Sequence, residues 1–134
     1  MAFVGKSYQL EKDENYEAFV DSLGMPPGRT EFFKKFKPVH KIEKNGDVYT
    51  ITAQCPSETV KVSFKIGEEF DEQHTASVAK SKFTLNGNIL NQEQKFNNGS
   101  VINYKREYLD NKLITTLTHN KWNGKAVRYY AIKA

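Results

Sequence analysis

Hydrophobic and polar positions alternate with a period of two along most of the chain from Val39 onward. In residues 60–66, for example, apolar side chains at even positions alternate with lysine and serine at odd positions. Alternation of this kind over a short run is typical of a β-strand with one buried face. Similar short runs recur to the C-terminus, and this region is therefore predicted to consist of consecutive strands.

The segments between these runs favour tight hairpin turns. Four of them contain an asparagine followed by a glycine: Asn45-Gly46, Asn86-Gly87, Asn98-Gly99 and Asn123-Gly124. Both residue types accept the positive φ angles of two-residue turns, so consecutive strands should be antiparallel neighbours. Closing the sheet protects its edges. We predict an all-β fold, an up-and-down antiparallel barrel of about ten strands that is wide enough to hold a small ligand.

A helical period interrupts the strands near the N-terminus. In residues 15–23, apolar side chains recur at i, i+3, i+4 and i+7, with Asp13 or Asn15 available as an N-cap. Residues 30–37 carry three phenylalanines among lysines, with Thr30 as a second N-cap. Two short helices after the first strand would form a lid over one end of the barrel.

One strand carries an arginine on its apolar face. Residues 102–108 place Arg106 on the same side as an isoleucine and two tyrosines, whereas positions 103, 105 and 107 are polar. A buried charge is costly without a partner. The sequence therefore predicts an anion beside Arg106, either a ligand or a carboxylate from another strand.

A second arginine and a polar strand extend this picture. Arg128 lies in a strand over residues 126–132, whose inward face the pattern does not decide. If the strands pair in order, Arg106 and Arg128 lie one strand apart on the same wall. Residues 90–96 are polar on both faces, which indicates either a partly hydrated cavity or an edge strand.

Composition limits the class of protein. The chain has 134 residues, 38% hydrophobic and 13% aromatic, which is typical of one globular domain over residues 1–134. No window approaches the roughly 20 apolar residues of a membrane-spanning helix. The first residues, MAFVGKSYQL, lack the apolar core of a secretory signal, and the single cysteine, Cys55, cannot form an internal disulfide. We expect a cytoplasmic protein.

Charge and motifs argue against several functions. The net charge of +4 is modest for a nucleic-acid-binding protein, and the one basic cluster, at residues 29–41, is typical of a solvated helix face. The three histidines, His40, His74 and His119, show no metal-ligand spacing with Cys55. No glycine-rich phosphate loop or nucleophile elbow is present. We expect no catalytic residue, metal or cofactor.

The chain resembles the intracellular lipid-binding proteins, the fatty-acid-binding and cellular retinoid-binding family. The resemblance covers nearly the whole length and rests on specific strings in the order of the family. These are Phe3-Val4-Gly5-Lys6, Asn15-Tyr16-Glu17-Ala18-Phe19, Leu23-Gly24, Lys37-Pro38, Ile42–Asp47, Ser63–Glu72, Lys105-Arg106-Glu107 and Leu113–His119.

This resemblance implies a monomeric β-clam that carries a long-chain fatty acid or, alternatively, a retinoid. It implies that Arg106, Arg128 and Tyr130 bind the ligand carboxylate, for which a guanidinium is suited because its planar donors match two oxygens. The residues implied at the pocket or portal are Tyr16, Val20, Leu23, Met25, Phe33, Pro38, Cys55, Thr75, Thr115 and Leu117. A transient contact with anionic membranes through Lys34, Lys35 and Lys37 is also expected.

Overall fold

A computed structural model describes residues 2–56, 58–73 and 78–133. Within them the chain forms ten strands and two helices. In chain order these are β1 (Ser7–Glu14), α1 (Tyr16–Ser22), α2 (Pro27–Lys34), β2 (Val39–Asn45), β3 (Val48–Cys55), β4 (Glu58–Lys65), β5 (Phe70–Gln73), β6 (Val78–Asn86), β7 (Ile89–Phe96), β8 (Val101–Tyr108), β9 (Lys112–His119) and β10 (Ala126–Ile132).

The strands form one antiparallel sheet that curves into a nearly closed barrel. Their order is β4-β3-β2-β1-β10-β9-β8-β7-β6-β5, so each strand pairs with the next one in the chain except at β4 and β5, and β1 also pairs with β10. The two ends of the sheet are β4 and β5. The prediction of a ten-stranded up-and-down barrel with a two-helix insert after the first strand is confirmed.

The asparagine-glycine pairs mark turns, but not all for the predicted reason. Gly46, Gly87 and Gly99 adopt φ angles of 65°, 63° and 85° between successive strands. Gly124 has no positive φ, so that part of the prediction was wrong. A Cβ at Gly124 would lie 2.6 Å from Cζ2 of Trp122, and the glycine is needed there because the indole ring packs against its backbone.

The start of α1 agrees with the sequence prediction, whereas the start of α2 does not. Asn15 stands at the N-cap of α1 with φ 57°, but its side chain makes no capping hydrogen bond, and its Nδ2 donates to the carbonyl of Lys125 instead. The start of α2 is at Pro27, because a proline in the first turn needs no amide partner and has a helical φ. Thr30 therefore lies inside α2, where its hydroxyl donates to the carbonyl of Met25.

Two apolar clusters occupy the interior. The larger one is aromatic, and its centre is a stack in which the ring centroids of Phe64 and Phe83 are 3.6 Å apart. The smaller one joins α1 to the barrel through Phe19 and Val20, which pack with Leu117 and neighbouring residues of β8 to β10. A cavity remains between the two clusters and α2.

Candidate functional site

A cavity of about 340 Å³ lies inside the barrel beneath the two helices, within the size range of small-molecule sites. Most of the residues predicted for the site line it. They are Arg106, Arg128, Tyr130, Tyr16, Val20, Leu23, Met25, Phe33, Pro38, Thr115 and Leu117. The predicted site residues named here are therefore brought together around one cavity.

One described residue among those predicted for the pocket, Cys55, is not part of this lining. Cys55 is at the end of β3 and half-buried, and its thiol donates to the carbonyl of Glu58 at 3.3 Å. This hydrogen bond stabilises the turn between β3 and β4, and Cys55 does not line the cavity. Thr75 lies outside the described residues.

Strand register aligns the charged residues in a row. Arg106 of β8 pairs with Thr115 of β9, Thr115 pairs with Arg128 of β10, and Arg128 pairs with Asp13 of β1. All four positions are therefore at one level of the barrel wall. The prediction that the two arginines lie one strand apart on the same wall is confirmed.

Arg106 is buried and incompletely hydrogen-bonded. Its residue is 9% exposed, and its Nη1 has no hydrogen-bond partner within the described part of the chain. The guanidinium carbon lies 4.8 Å from the ring centroid of Tyr104 and 5.8 Å from that of Phe83. Aromatic faces attract a cation without using its N–H donors, so these contacts hold Arg106 in place and leave donor capacity.

Arg128, and not Arg106, forms an ion pair with a carboxylate of the protein. Its Nε donates to Oδ1 of Asp13 at 2.7 Å and its Nη2 donates to Oδ2 at 3.3 Å. Nη2 also donates to the carbonyl of Phe36, just after α2, and the guanidinium stacks 3.6 Å above the ring of Tyr16. Arg128 therefore ties β1 and the end of the lid to the barrel wall.

The tyrosines around the arginines remain neutral hydroxyl groups. Burial raises the pKa of Tyr130 above its usual value, although the nearby cations of Arg128 and Arg106 oppose this effect. Burial likewise raises the pKa of Tyr16 to about 12. These side chains therefore keep their protons at neutral pH and can donate hydrogen bonds to an anion.

The β5 to β7 wall of the cavity is also polar, which sequence reasoning only partly anticipated. Oε1 of Glu72 accepts hydrogen bonds from Ser81 Oγ at 2.6 Å, Gln94 Nε2 at 3.0 Å and Gln92 Nε2 at 3.1 Å. Gln92 and Gln94 are buried, and β7 is interior to the sheet. The edge-strand interpretation of residues 90–96 was therefore wrong, and their inward face lines the cavity.

A buried histidine lies in the wall near Arg106. Nε2 of His40 and the hydroxyl of Tyr108 are 2.8 Å apart. Burial, together with the positive charge of Arg106, lowers the pKa of His40 to about 3. His40 is neutral under ordinary conditions and adds no further charge to the cavity.

The sequence model of the lipocalin/cytosolic fatty-acid binding protein family matches residues 1–122. The chain belongs to this family. Its relatives in the family include fatty acid-binding protein 2 of Manduca sexta, 38% identical over 131 residues that cover 97% of this chain and 98% of that protein. The adipocyte fatty acid-binding protein of Pygoscelis papua is 36% identical over 127 residues, 93% of this chain and 94% of the relative.

The fold agrees with this membership of the lipocalin/cytosolic fatty-acid binding protein family. The crystal structure of a fatty acid-binding protein from brain tissue of Drosophila melanogaster is 40% identical, with a TM-score of 0.88 over 96% of this chain and 98% of that one. The resemblance inferred from sequence is therefore confirmed. The names of these relatives describe them as fatty acid-binding proteins.

Neither a membrane-spanning helix nor a metal-binding cluster is found among the described residues. None of the helices in this part of the chain is long and apolar enough to cross a membrane. Over the same ranges, no three side chains of histidine, cysteine, aspartate or glutamate are grouped so that they could hold a metal ion.

Proposed function

We propose that the protein binds long-chain fatty acids non-covalently in this cavity and carries them through an aqueous compartment. The carboxylate would be bound by Arg106, Arg128 and Tyr130. The observation that carries this proposal is the buried guanidinium of Arg106, whose Nη1 has no hydrogen-bond partner among the described residues. The names of the similar proteins from Manduca sexta and Drosophila melanogaster support a fatty acid as the ligand.

The two arginines would have unequal roles in holding the head group. Arg106 has no carboxylate partner in the described contacts, and a ligand carboxylate would supply the acceptor that its Nη1 lacks. Arg128 already holds Asp13 with two of its nitrogens, so it would share its charge between Asp13 and the ligand. Tyr130, buried beside both cations, would add a neutral hydroxyl donor.

Most of the affinity would come from the tail. Burying a methylene is worth about 0.8 kcal/mol, so a chain of about 15 methylenes would contribute roughly 12 kcal/mol before the costs of association and ordering. Apolar lining residues such as Val20, Phe33 and Leu117 would provide the necessary contacts. A charge-assisted hydrogen bond adds a net of roughly 1.5 to 3 kcal/mol, so the head-group site mainly sets orientation and selects acids.

A displacement titration tests this function. Delipidated protein loaded with a fluorescent fatty-acid probe would be titrated with oleic acid, all-trans-retinoic acid and retinol. We expect oleic acid to displace the probe most strongly and retinol least, because retinol has no carboxylate. A preference for retinoic acid would keep the head-group site and make the protein a retinoid carrier, whereas no displacement by any of the three would refute the proposed function.

A further inference from the structure

A second cation lies where the cavity opens to solvent. Arg29 of α2 lines the cavity together with Phe33 of the same helix and Val60 of β4. Val60 is 41% exposed although it lines the cavity, so the cavity reaches solvent between α2 and β4. Arg29 is therefore placed at the mouth, whereas Arg106 lies on the interior wall.

Aromatic rings hold the Arg29 guanidinium in position. Its central carbon lies 4.7 Å from the ring centroid of Phe32 and 5.0 Å from that of Phe33. Such cation–π contacts orient a guanidinium over ring faces and leave its N–H groups available at the edges. The side chain is thus partly ordered before any anion arrives, which lowers the entropy cost of binding one.

The hydrogen-bonding capacity of Arg29 is not used in the described structure. Its Nε is buried and has no hydrogen-bond partner in residues 2–56, 58–73 and 78–133. Its ion-pair contact is with Glu58, where Nη2 and Oε2 are 3.9 Å apart, too far for a hydrogen bond. The two side chains are 28% and 39% exposed, so this pair contributes little to stability.

We propose that Arg29 is an outer carboxylate site and that its ligand is the far end of a long-chain α,ω-dicarboxylic acid. This inference rests on the proposed function, because the first carboxylate of such a diacid would be bound at Arg106. A simple fatty acid has a methyl group at its far end, which gains nothing from a cation. A diacid has a carboxylate there, and a cation at the mouth offsets the cost of holding that carboxylate against an apolar wall.

Calorimetric titration with hexadecanedioic acid and palmitic acid tests the outer site. We expect Arg29→Gln to weaken binding of the diacid by about fivefold and to change binding of palmitic acid by less than about twofold. Lys61→Gln is the matched control, because Lys61 is an exposed lysine of β4 outside the cavity lining, and it should change neither affinity. Glu58→Gln should strengthen binding of the diacid, since it removes the competing carboxylate.

The outcomes separate the outer site from the proposed function. Equal weakening of both acids by Arg29→Gln, or no weakening of the diacid, would overturn the outer site. Arg106→Leu should weaken binding of both acids, and unchanged affinity would count against the inner carboxylate site at Arg106. The comparison of the two acids in Arg29→Gln would still test the outer site at the mouth of the cavity. Thermal unfolding of each variant without ligand would show that the changes in affinity are measured on folded protein.

Discussion

Replacing Arg106 by leucine should have opposite effects on stability and on ligand binding. The substitution removes a guanidinium that is 9% exposed and whose Nη1 has no hydrogen-bond partner among the described residues. Leucine would place an apolar side chain beside Phe83 and opposite Leu90, its cross-strand neighbour. The ligand-free protein would therefore lose a buried, incompletely satisfied charge.

The magnitudes follow from the cost of burying an unpaired donor. Leaving one buried polar group without a partner costs about 1 to 3 kcal/mol, and replacing buried charges by apolar groups is often stabilising. We expect the free energy of unfolding of ligand-free Arg106→Leu to rise by about 1 kcal/mol. Loss of a charge-assisted hydrogen bond of roughly 1.5 to 3 kcal/mol should weaken binding of oleic acid by roughly 10- to 150-fold.

Urea unfolding of delipidated protein and displacement by oleic acid and methyl oleate would measure both effects. Methyl oleate has the same tail and no negative charge, so its affinity should change little in Arg106→Leu. Lys105→Gln, on the outward face of β8, is the control for the loss of one positive charge on the same strand. The reasoning would be refuted if oleic acid and its ester lost equal affinity, or if the ligand-free variant were less stable than the original chain.

Three further predictions concern neighbouring charges. Arg128→Leu should lower the free energy of unfolding by about 2 kcal/mol, a value reduced for solvent screening because the Asp13 side chain is 23% exposed. Adding Asp13→Asn removes the carboxylate left without its partner and should restore most of the lost stability. If urea unfolding showed no restoration, the pairing of Arg128 with Asp13 would be contradicted. Burial lowers the pKa of His40 from its ordinary value of 6.5 to about 3 in the folded protein, so below pH 6.5 the unfolded chain takes up a proton that the folded chain does not. The free energy of unfolding should therefore be highest above pH 6.5 and should fall as the pH is lowered toward 3. Between pH 7 and 5.5 the original chain should lose about 1 kcal/mol more than His40→Gln, and equal losses would exclude a buried neutral His40. The rate of fatty-acid transfer to anionic vesicles should fall as salt is added. It should fall further in Lys37→Gln than in Lys34→Gln, because Lys37 is exposed whereas Lys34 forms an ion pair with Asp21 at 2.8 Å. A transfer rate insensitive to salt and to both substitutions would exclude the membrane contact.

The inward arginine of β8 shows how far local sequence can lead. The alternation of residues 102–108 predicted that Arg106 faces the interior, because side chains of a strand point to alternate faces and three of its neighbours on that face are apolar. That no carboxylate among the described residues pairs with it could not be predicted. That depends on which residues of other strands and of the lid reach the same level of the wall.

Arg128 shows the limit of such reasoning. Its strand is apolar on both faces, so periodicity could not choose its direction, and its carboxylate partner, Asp13, is 115 residues away. The sequence pattern makes Asp13 one of two candidate caps of the first helix, because it precedes α1 by three residues. Pairing of β1 with β10 makes it the cross-strand neighbour of Arg128 instead.

The sequence by itself determined the number and order of the strands, the two-helix insert and the inward face of Arg106. These features depend on the local period of two or 3.6 residues and on turn chemistry. Only the tertiary structure decided that Asp13 pairs with Arg128, that Gln92 and Gln94 converge on Glu72, and that Arg29 stands at the mouth near Glu58. These contacts join different elements, and long-range register, which no local pattern encodes, fixes which side chains meet.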